Sequence, residues 1–448
     1  MTKLFGTDGI RGIANKYPMT SEMAVKIGRA IASFFKNTEN PKIIIGKDTR
    51  ISGDMIENAL VSGICSMGVD VYLAGIIPTP GIAYLTPEIG ANAGIVISAS
   101  HNPYYDNGIK VFGNKGLKLS DNMESEIEKL ILDETIETIC QEIQDTGRVS
   151  IINNSGNKYS DFLKKCFPEN IDLKGLKIVV DCSNGATYDI APGLLADMGA
   201  EVQTLFVNPD GKNINNNCGS QHPEILSKKV IETKSDIGLA YDGDGDRLIV
   251  VDEKGDIASG DQILAVYANY LKKINKLKNN IVVSTIMSNM GLGVSLKKLG
   301  IKHAMSNVGD RYVLEQMLIN DAIIGGEDSG HIIFLDEQTT GDGILAGLKL
   351  IEIITHETKP LSELLKIMTV FPQELVNVEV NSKPDINSVP EIVDAIKNAE
   401  NKLGENGRIL VRYSGTQSLC RVMVEGPTIK ETKTICNKIA DIIKECIG

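Results

Sequence analysis

The sequence predicts an α/β fold: three similar α/β domains followed by a smaller C-terminal α+β domain. Three observations carry this. Strand-like apolar runs alternate with helical periodicity through most of the 448 residues, the signature of layered sheets with largely parallel strands. One local pattern, an apolar strand running into a Gly-containing polar loop, occurs three times: GIVISASHNP (94–103), IGLAYDGDGDR (237–247) and AIIGGEDSGH (322–331). Beyond residue 370 the alternation gives way to a strand-helix-strand-strand-helix order.

Lys42–Ile45, Gly94–Ile97, Ile178–Val180 and Ile281–Val283 read as short buried strands. Thr20–Phe35 reads as a helix capped by Thr20, with Ala24, Ile27, Ile31 and Phe34 on one face. In the last part Leu375–Val380, Ile409–Arg412 and Leu419–Val424 are strand-like, and 389–403 is helical. The final helix opens with Thr428 and Glu431 in capping-box spacing and is expected to bury Ile435, Ile439, Ile442 and Cys446. Val370, Phe371 and Pro372 form a plausible joint. The domains expected are 1–150, 151–253, 254–370 and 371–448, carrying one loop each.

Composition narrows the function. The formal net charge is −12, which argues against nucleic-acid or anionic-membrane partners but not against a phosphate held by a few local Arg residues. No apolar run approaches a membrane span. The N-terminus MTKLFGTDGIRG lacks a signal core, so a cytoplasmic protein is expected. The eight Cys form no CxxC pair, which favours reduced core thiols over a zinc site.

The loops carry the chemistry. In Ser98-Ala99-Ser100-His101-Asn102-Pro103, a serine at a strand end is a candidate nucleophile, though it also fits an ordinary loop serine. His101 directly follows Ser100 and need not be aimed at its hydroxyl. Lys110, in NGIK, is a source of positive charge, a proton carrier or a solvated surface group. Asp242, Asp244 and Asp246 alternate with glycines, so three carboxylates can converge on one hard cation of the Mg²⁺, Mn²⁺ or Ca²⁺ type. A solvated acidic turn is the alternative. An EF-hand is disfavoured because Arg247 stands where its glycine belongs and a strand, LIVVD, follows. Glu327 and Ser329, in GGEDSGH, can hydrogen-bond adjacent sugar hydroxyls. Arg412-Tyr413-Ser414-Gly415-Thr416, with Arg421 on the next strand, can cradle a phosphate or form a plain β-turn.

FGTDGIRG (5–12), ISASHNP (97–103), NGIK (107–110), DGDGDR (242–247), GGEDSGH (325–331) and RYSGT (412–416) together resemble the α-D-phosphohexomutase family along the whole chain. NINNNCGSQHPE (213–224), STIMSNMGLG (284–293), VGDRYV (308–313) and TTGDGILA (339–346) resemble its glucosamine-phosphate branch rather than its phosphomannomutases or phosphoglucomutases. The resemblance implies four domains around a central cleft. It implies interconversion of glucosamine 6-phosphate and glucosamine 1-phosphate through glucosamine 1,6-bisphosphate, a step toward UDP-N-acetylglucosamine. Glucose- or mannose-phosphate substrates with the same mechanism are the rival.

Matched residue by residue, Ser100 is implied to be the phosphoserine, and Asp242, Asp244 and Asp246 to bind one Mg²⁺ with it. Strand alternation does not separate Ser100 from Ser98; the family's serine-histidine-asparagine-proline motif does. Thr7, Arg11, His101 and Lys110 are implied to surround the reacting phosphoryl group. Arg247, Glu327, Ser329 and His331 fall on the substrate side, and Arg412, Ser414, Gly415, Thr416 and Arg421 on the unreactive phosphate. Gln417-Ser418 and Asp328 depart from the Glu-Pro and Gln common in the family. The expected partner is a small-molecule sugar phosphate, and a homodimer is compatible with the sequence.

Overall fold

The computed structural model describes residues 4–6, 8–36, 40–132, 135–141, 145–414 and 418–448. Thr7, Gly415, Thr416 and Gln417 therefore lie outside the described residues. The chain forms two compact units, Met1–Ile286 with Ile301–Lys366, and Met287–Gly300 with Ile367–Gly448.

The first unit contains three sheets. The strands of the first are β1 (Phe5–Gly6), β2 (Gly9–Ile13), β3 (Lys42–Lys47), β4 (Asp70–Ile76), β5 (Ala93–Ile97), β6 (Asp106–Gly113) and β7 (Val149–Ile151), in the order β1-β2-β6-β5-β3-β4-β7. The second has β8 (Lys177–Asp181), β9 (Glu201–Leu205), β10 (Ile237–Tyr241), β11 (Leu248–Asp252) and β12 (Ile257–Ala258), ordered β12-β11-β10-β8-β9. The third has β13 (Ile281–Thr285), β14 (Lys302–Ser306), β15 (Ile324–Gly326) and β16 (Ile332–Phe334), ordered β14-β13-β15-β16.

One four-strand order recurs in all three: β4-β3-β5-β6, β9-β8-β10-β11 and β14-β13-β15-β16. In each, the first three strands run parallel and the fourth returns antiparallel. The faint sequence repeat thus marks a repeated supersecondary unit. Its polar loop is the turn between the third and fourth strands, at the carboxyl end of a parallel strand, where ligands collect in α/β sheets. The sheets are mixed rather than wholly parallel because each loop ends in this returning strand.

The four strands expected in this unit are interior to their sheets and most of their apolar residues are fully buried, as in Ile43, Ile44 and Ile45 or Val179 and Val180. The helix Ser21–Phe35 starts where Thr20 accepts a hydrogen bond from the Met23 amide, and buries Ala24, Ile27 and Ile31. LIVVD is strand β11, and Glu253 after it accepts from the Ser362 amide at 3.2 Å rather than turning toward the acidic loop.

The second unit is a three-stranded antiparallel sheet, ordered β17 (Gln373–Glu379), β19 (Leu419–Glu425), β18 (Arg408–Tyr413), with the helices Pro390–Leu403 and Ile429–Ile447. Thr428 caps the last helix by accepting from the Glu431 amide. Its buried stripe is Ile435, Ile439, Ile443 and Ile447. Cys446 is exposed and Ile442 only half-buried, because the stripe advances four residues at each step. No cysteine among the described residues is disulfide-bonded; Cys182, Cys218, Cys420 and Cys436 are buried. No helix among the described residues is long and apolar enough to cross a membrane.

Candidate active site

Strand β5 ends at Ile97, and the chain then turns sharply. Ser100 takes a left-handed backbone conformation, φ 52°, which non-glycine residues adopt only when held there. This turn separates the two serines that alternation leaves equivalent. Ser98 is fully buried: its hydroxyl donates to Asp48 Oδ2 at 2.6 Å and accepts from the Ser100 amide at 2.9 Å. Ser100 Oγ instead donates to Asp242 Oδ2 at 2.6 Å, 3.3 Å from His101 Nδ1. The same turn brings His101 to its neighbour's hydroxyl.

Asp242, Asp244 and Asp246 follow β10 and are buried, with one oxygen of each lying within 4.8 Å of the others. The glycine between the first two is sterically required, because a Cβ on Gly243 would stand 2.6 Å from the Ser100 carbonyl oxygen. The two loops therefore touch.

Cations and hydrogen bonds restrain this charge. Lys110, on β6 and 2% exposed, lies 2.8 Å from Asp244, 3.0 Å from Asp8 and 3.5 Å from Asp246. Burial opposes its charge, yet Asp244, Asp8 and Asp246 outweigh burial and hold the ammonium well above its usual range. Thr79 donates to Asp244 Oδ2 at 2.5 Å. Burial would raise Asp246 too, but Lys110, His331 and Arg247 keep it well below the carboxylate range. Asp242 goes the other way: burial and the charges of Asp246 and Asp244 push it well above.

The residues present fit a hard divalent cation. Asp244 Oδ1 and Asp246 Oδ1 are buried without hydrogen-bond partners, a state that costs free energy unless a ligand completes it. Three carboxylates and a serine oxygen form an all-oxygen set, which suits Mg²⁺ rather than zinc.

Arg11 pairs with Asp8, and Asp8 also pairs with Lys118. Burial, then Arg247 and Arg11, depress His101 to about 4, so its ring is neutral at pH 7. Arg247 donates its amide to Asp242 Oδ1 at 3.2 Å. His331 accepts from the Gly341 amide at Nε2 and places Nδ1 3.7 Å from Asp246. The third loop thereby meets the second. Glu327 Oε1 accepts from the Gly309 amide at 3.0 Å, and Ser329 Oγ is buried with no partner. Asp328 caps the helix Gly260–Lys273, its carbonyl accepting from Gly260 and its carboxylate from Asp261.

In the second unit, Arg412 on β18 stands directly across from Arg421 on β19. Two like charges in register are unfavourable unless an anion joins them, and Arg421 Nε is buried without a hydrogen-bond partner. Ser414 is buried and donates its amide to the Leu419 carbonyl. Arg412 lines a cavity of about 560 Å³ with Lys383 and Tyr413.

Sequence reading missed the supports: Asp48, Arg50, Asp8, Lys118, Asn215 and Asp310, the last of which pairs with Lys118. Asp48 and Arg50 had a usable signal, since polar residues follow the apolar run IIIG just as they do in the three loops.

Models of the phosphoglucomutase/phosphomannomutase family match in four parts: alpha/beta/alpha domain I over residues 2–137, domain II over 157–255, domain III over 259–371 and the C-terminal domain over 375–442. The phosphoglucosamine mutase of Syntrophus aciditrophicus is 58% identical over 100% of both chains. That of Syntrophobacter fumaroxidans is 53% identical over 100% of both. Among solved structures, a phosphoglucomutase/phosphomannomutase family protein from Burkholderia thailandensis has a TM-score of 0.82 at 25% identity, covering 99% of this chain and 97% of that one. The fold also matches Aspergillus fumigatus N-acetylphosphoglucosamine mutase in complex with GlcNAc-6P and magnesium, with a TM-score of 0.65 at 17% identity over 99% and 95% of the chains. With all four family domains matched in order, this chain belongs to the phosphoglucomutase/phosphomannomutase family.

Proposed function

We propose that this chain is an isomerase that interconverts glucosamine 6-phosphate and glucosamine 1-phosphate through a phosphorylated Ser100. The observation that carries the reading is the convergence of the Ser100 hydroxyl on the buried carboxylates of Asp242, Asp244 and Asp246. Relatives named phosphoglucosamine mutase at 50–58% identity over the chain support the choice of amino sugar.

In this reading, phosphoserine 100 donates its phosphoryl group to O1 or O6 of the bound sugar phosphate. The Ser100 O–P bond breaks as the sugar O–P bond forms, and the serine recovers the proton the sugar hydroxyl loses. The product, glucosamine 1,6-bisphosphate, turns around and returns its other phosphoryl group to Ser100. Asp242, Asp244 and Asp246 would hold one Mg²⁺ with Ser100; when bound, it neutralises charge on the transferring phosphoryl group. Lys110 and Arg11 add fixed positive charge beside it, with His101 and Thr7 near the same group. Glu327 and Ser329 bind sugar hydroxyls, and Arg247 and His331 complete that side. Arg412, Ser414, Gly415, Thr416 and Arg421 hold the phosphate that does not react.

The four domains are 1–150, 151–253, 254–370 and 371–448 in this proposal, and the product supplies UDP-N-acetylglucosamine synthesis in the cytoplasm. The deciding experiment is a mutase assay with glucosamine, glucose and mannose phosphates in parallel, with and without Mg²⁺. Highest kcat/KM for glucosamine 1-phosphate is expected. A higher value for glucose or mannose 1-phosphate would replace this reading with the rival mutase.

A further inference from the structure

Arg50 lies in none of the four loops, yet every N–H of its guanidinium has an acceptor. Nε donates to Asp48 Oδ2 at 2.8 Å. One terminal nitrogen donates to the carbonyls of Pro103 and Asp106, the other to those of Ser100 and Asn102 at 2.8 Å each. Both Arg50 and Asp48 side chains are 0% exposed. A guanidinium offers five N–H donors in one plane, and this one spends four of them on carbonyls in the eight-residue stretch 100–107.

The pair controls both peptide groups of Ser100. Arg50 holds the Ser100 carbonyl. Asp48 Oδ2 holds the Ser98 hydroxyl, which in turn accepts from the Ser100 amide. With the amide on one side and the carbonyl on the other fixed to a single buried ion pair, the left-handed conformation of Ser100 is imposed, and so is the direction of its Cα–Cβ bond, which brings Oγ to Asp242. Asn215 reinforces the hold from the second sheet's domain: its Nδ2 donates to the same two carbonyls, Ser100 at 2.8 Å and Asn102 at 3.0 Å.

We propose that Arg50 is a positioning residue for phosphoryl transfer, acting through the backbone of Ser100 and assisted by Asn215. It rests on the phosphoserine reading of Ser100. Lysine cannot substitute, because a single ammonium cannot span acceptors on opposite edges of a guanidinium plane. Misplacing the serine oxygen should slow the chemical step and leave sugar binding nearly intact.

The test compares Arg50→Lys, Asn215→Ala and the double variant Asp48→Asn/Arg50→Ala, which avoids leaving a buried carboxylate alone. Each is assayed in the full chain with glucosamine 1-phosphate, Mg²⁺ and added 1,6-bisphosphate. Backbone hydrogen exchange is followed in parallel over 98–106 and over the distant strand 281–285. For Arg50→Lys, kcat should fall about 100-fold with KM within about threefold. Exchange should rise over 98–106 only, and Asn215→Ala should show a smaller effect of the same kind. A KM rise at unchanged kcat, or exchange over 98–106 equal to the parent's, overturns the proposal. If the parent protein turns over none of the sugar phosphates, the phosphoserine reading fails, and exchange alone then decides whether Arg50 holds the loop.

Discussion

Ser100 Oγ donates a 2.6 Å hydrogen bond to Asp242 Oδ2, and the acceptor is a carboxyl whose ionisation is opposed by burial and by Asp246 and Asp244. A phosphate on Ser100 would bring about two more negative charges into this corner. That is tolerable only with a divalent cation, so phosphate occupancy and metal affinity should be linked.

The linkage is measurable. Mass spectrometry of the purified protein should place a phosphate on the peptide containing Ser100. Calorimetry should show weaker Mg²⁺ binding after the phosphate is removed. Ser98→Ala should still carry phosphate on Ser100, since Ser98 is committed to Asp48 and the Ser100 amide. Phosphate on Ser98, or mutase activity surviving in Ser100→Ala, would reverse the assignment.

Removing one ligand should cost turnover but not folding. Asp244→Asn keeps an oxygen that can accept from Thr79 and Lys110; it relieves repulsion within the trio but weakens the hold on the buried Lys110 ammonium. Loss of metal-assisted charge stabilisation, worth several kcal/mol, should lower kcat on the order of 1,000-fold. The melting temperature without Mg²⁺ should change little, because the two effects oppose each other and Asp8 and Asp246 still pair with Lys110. Chelation should abolish turnover in the parent protein and Mg²⁺ restore it; full activity in chelator would remove the metal from the reading.

The arginine pair in the second unit should govern binding rather than chemistry. Arg412→Ala removes a charge-assisted hydrogen bond of about 1.5–3 kcal/mol, so KM should rise roughly 10- to 100-fold at little change in kcat. Arg421 stands across from Arg412 with its Nε buried and without a hydrogen-bond partner, so Arg421→Ala should shift KM in the same direction. An unchanged KM in both would move the phosphate site elsewhere.

How much of this was legible in the sequence depends on the kind of residue. The reacting loops were visible because each breaks an apolar strand with a run of chemistry-bearing side chains. The repeated unit was visible for the same reason, and its fourth strand only in part: LIVVD reads as the strand it is, β11, but Asn107–Lys110 reads as a polar motif, whereas it lies inside strand β6. Supports were hard to see because their partners are distant in the chain. Arg50 meets Ser100, and Asn215 meets Ser100 and Asn102, only after folding. Asp8 sat inside a motif already singled out, FGTDGIRG, but nothing local distinguishes a carboxylate that meets Lys110 and Lys118. Alternation places Ser98 and Ser100 on one face; what separates them is the turn that follows the strand end at Ile97.

Asp342 gives the fold an acid-dependent stability separate from the reaction. It caps the helix Gly343–Glu357, accepting from the Leu345 amide at 2.9 Å, and accepts from the Tyr159 hydroxyl at 2.7 Å. Burial raises its carboxyl to about 6, against the lowering effect of those hydrogen bonds. In the unfolded chain the group titrates at about 3.9. Between about pH 4 and 6 the native state therefore binds more protons than the unfolded state, and stability falls as pH rises through that window. Below it both states are protonated, and above it both are ionised, so the contribution is flat on either side. At about 1.4 kcal/mol per pH unit, the loss across the window is roughly 3 kcal/mol. Asparagine does not ionise and caps helices well, and the cost of taking the carboxylate acceptor from the Tyr159 hydroxyl does not follow the titration of Asp342. Asp342→Asn should therefore gain stability relative to the parent as pH rises from about 4 to 6, with the difference flat above that window. Asp181, raised to about 6 by burial, titrates in both proteins and drops out of the difference. Thermal unfolding of the two proteins at intervals from pH 4 to 8 measures that difference; a gap independent of pH would show that Asp342 is ionised in the native state throughout.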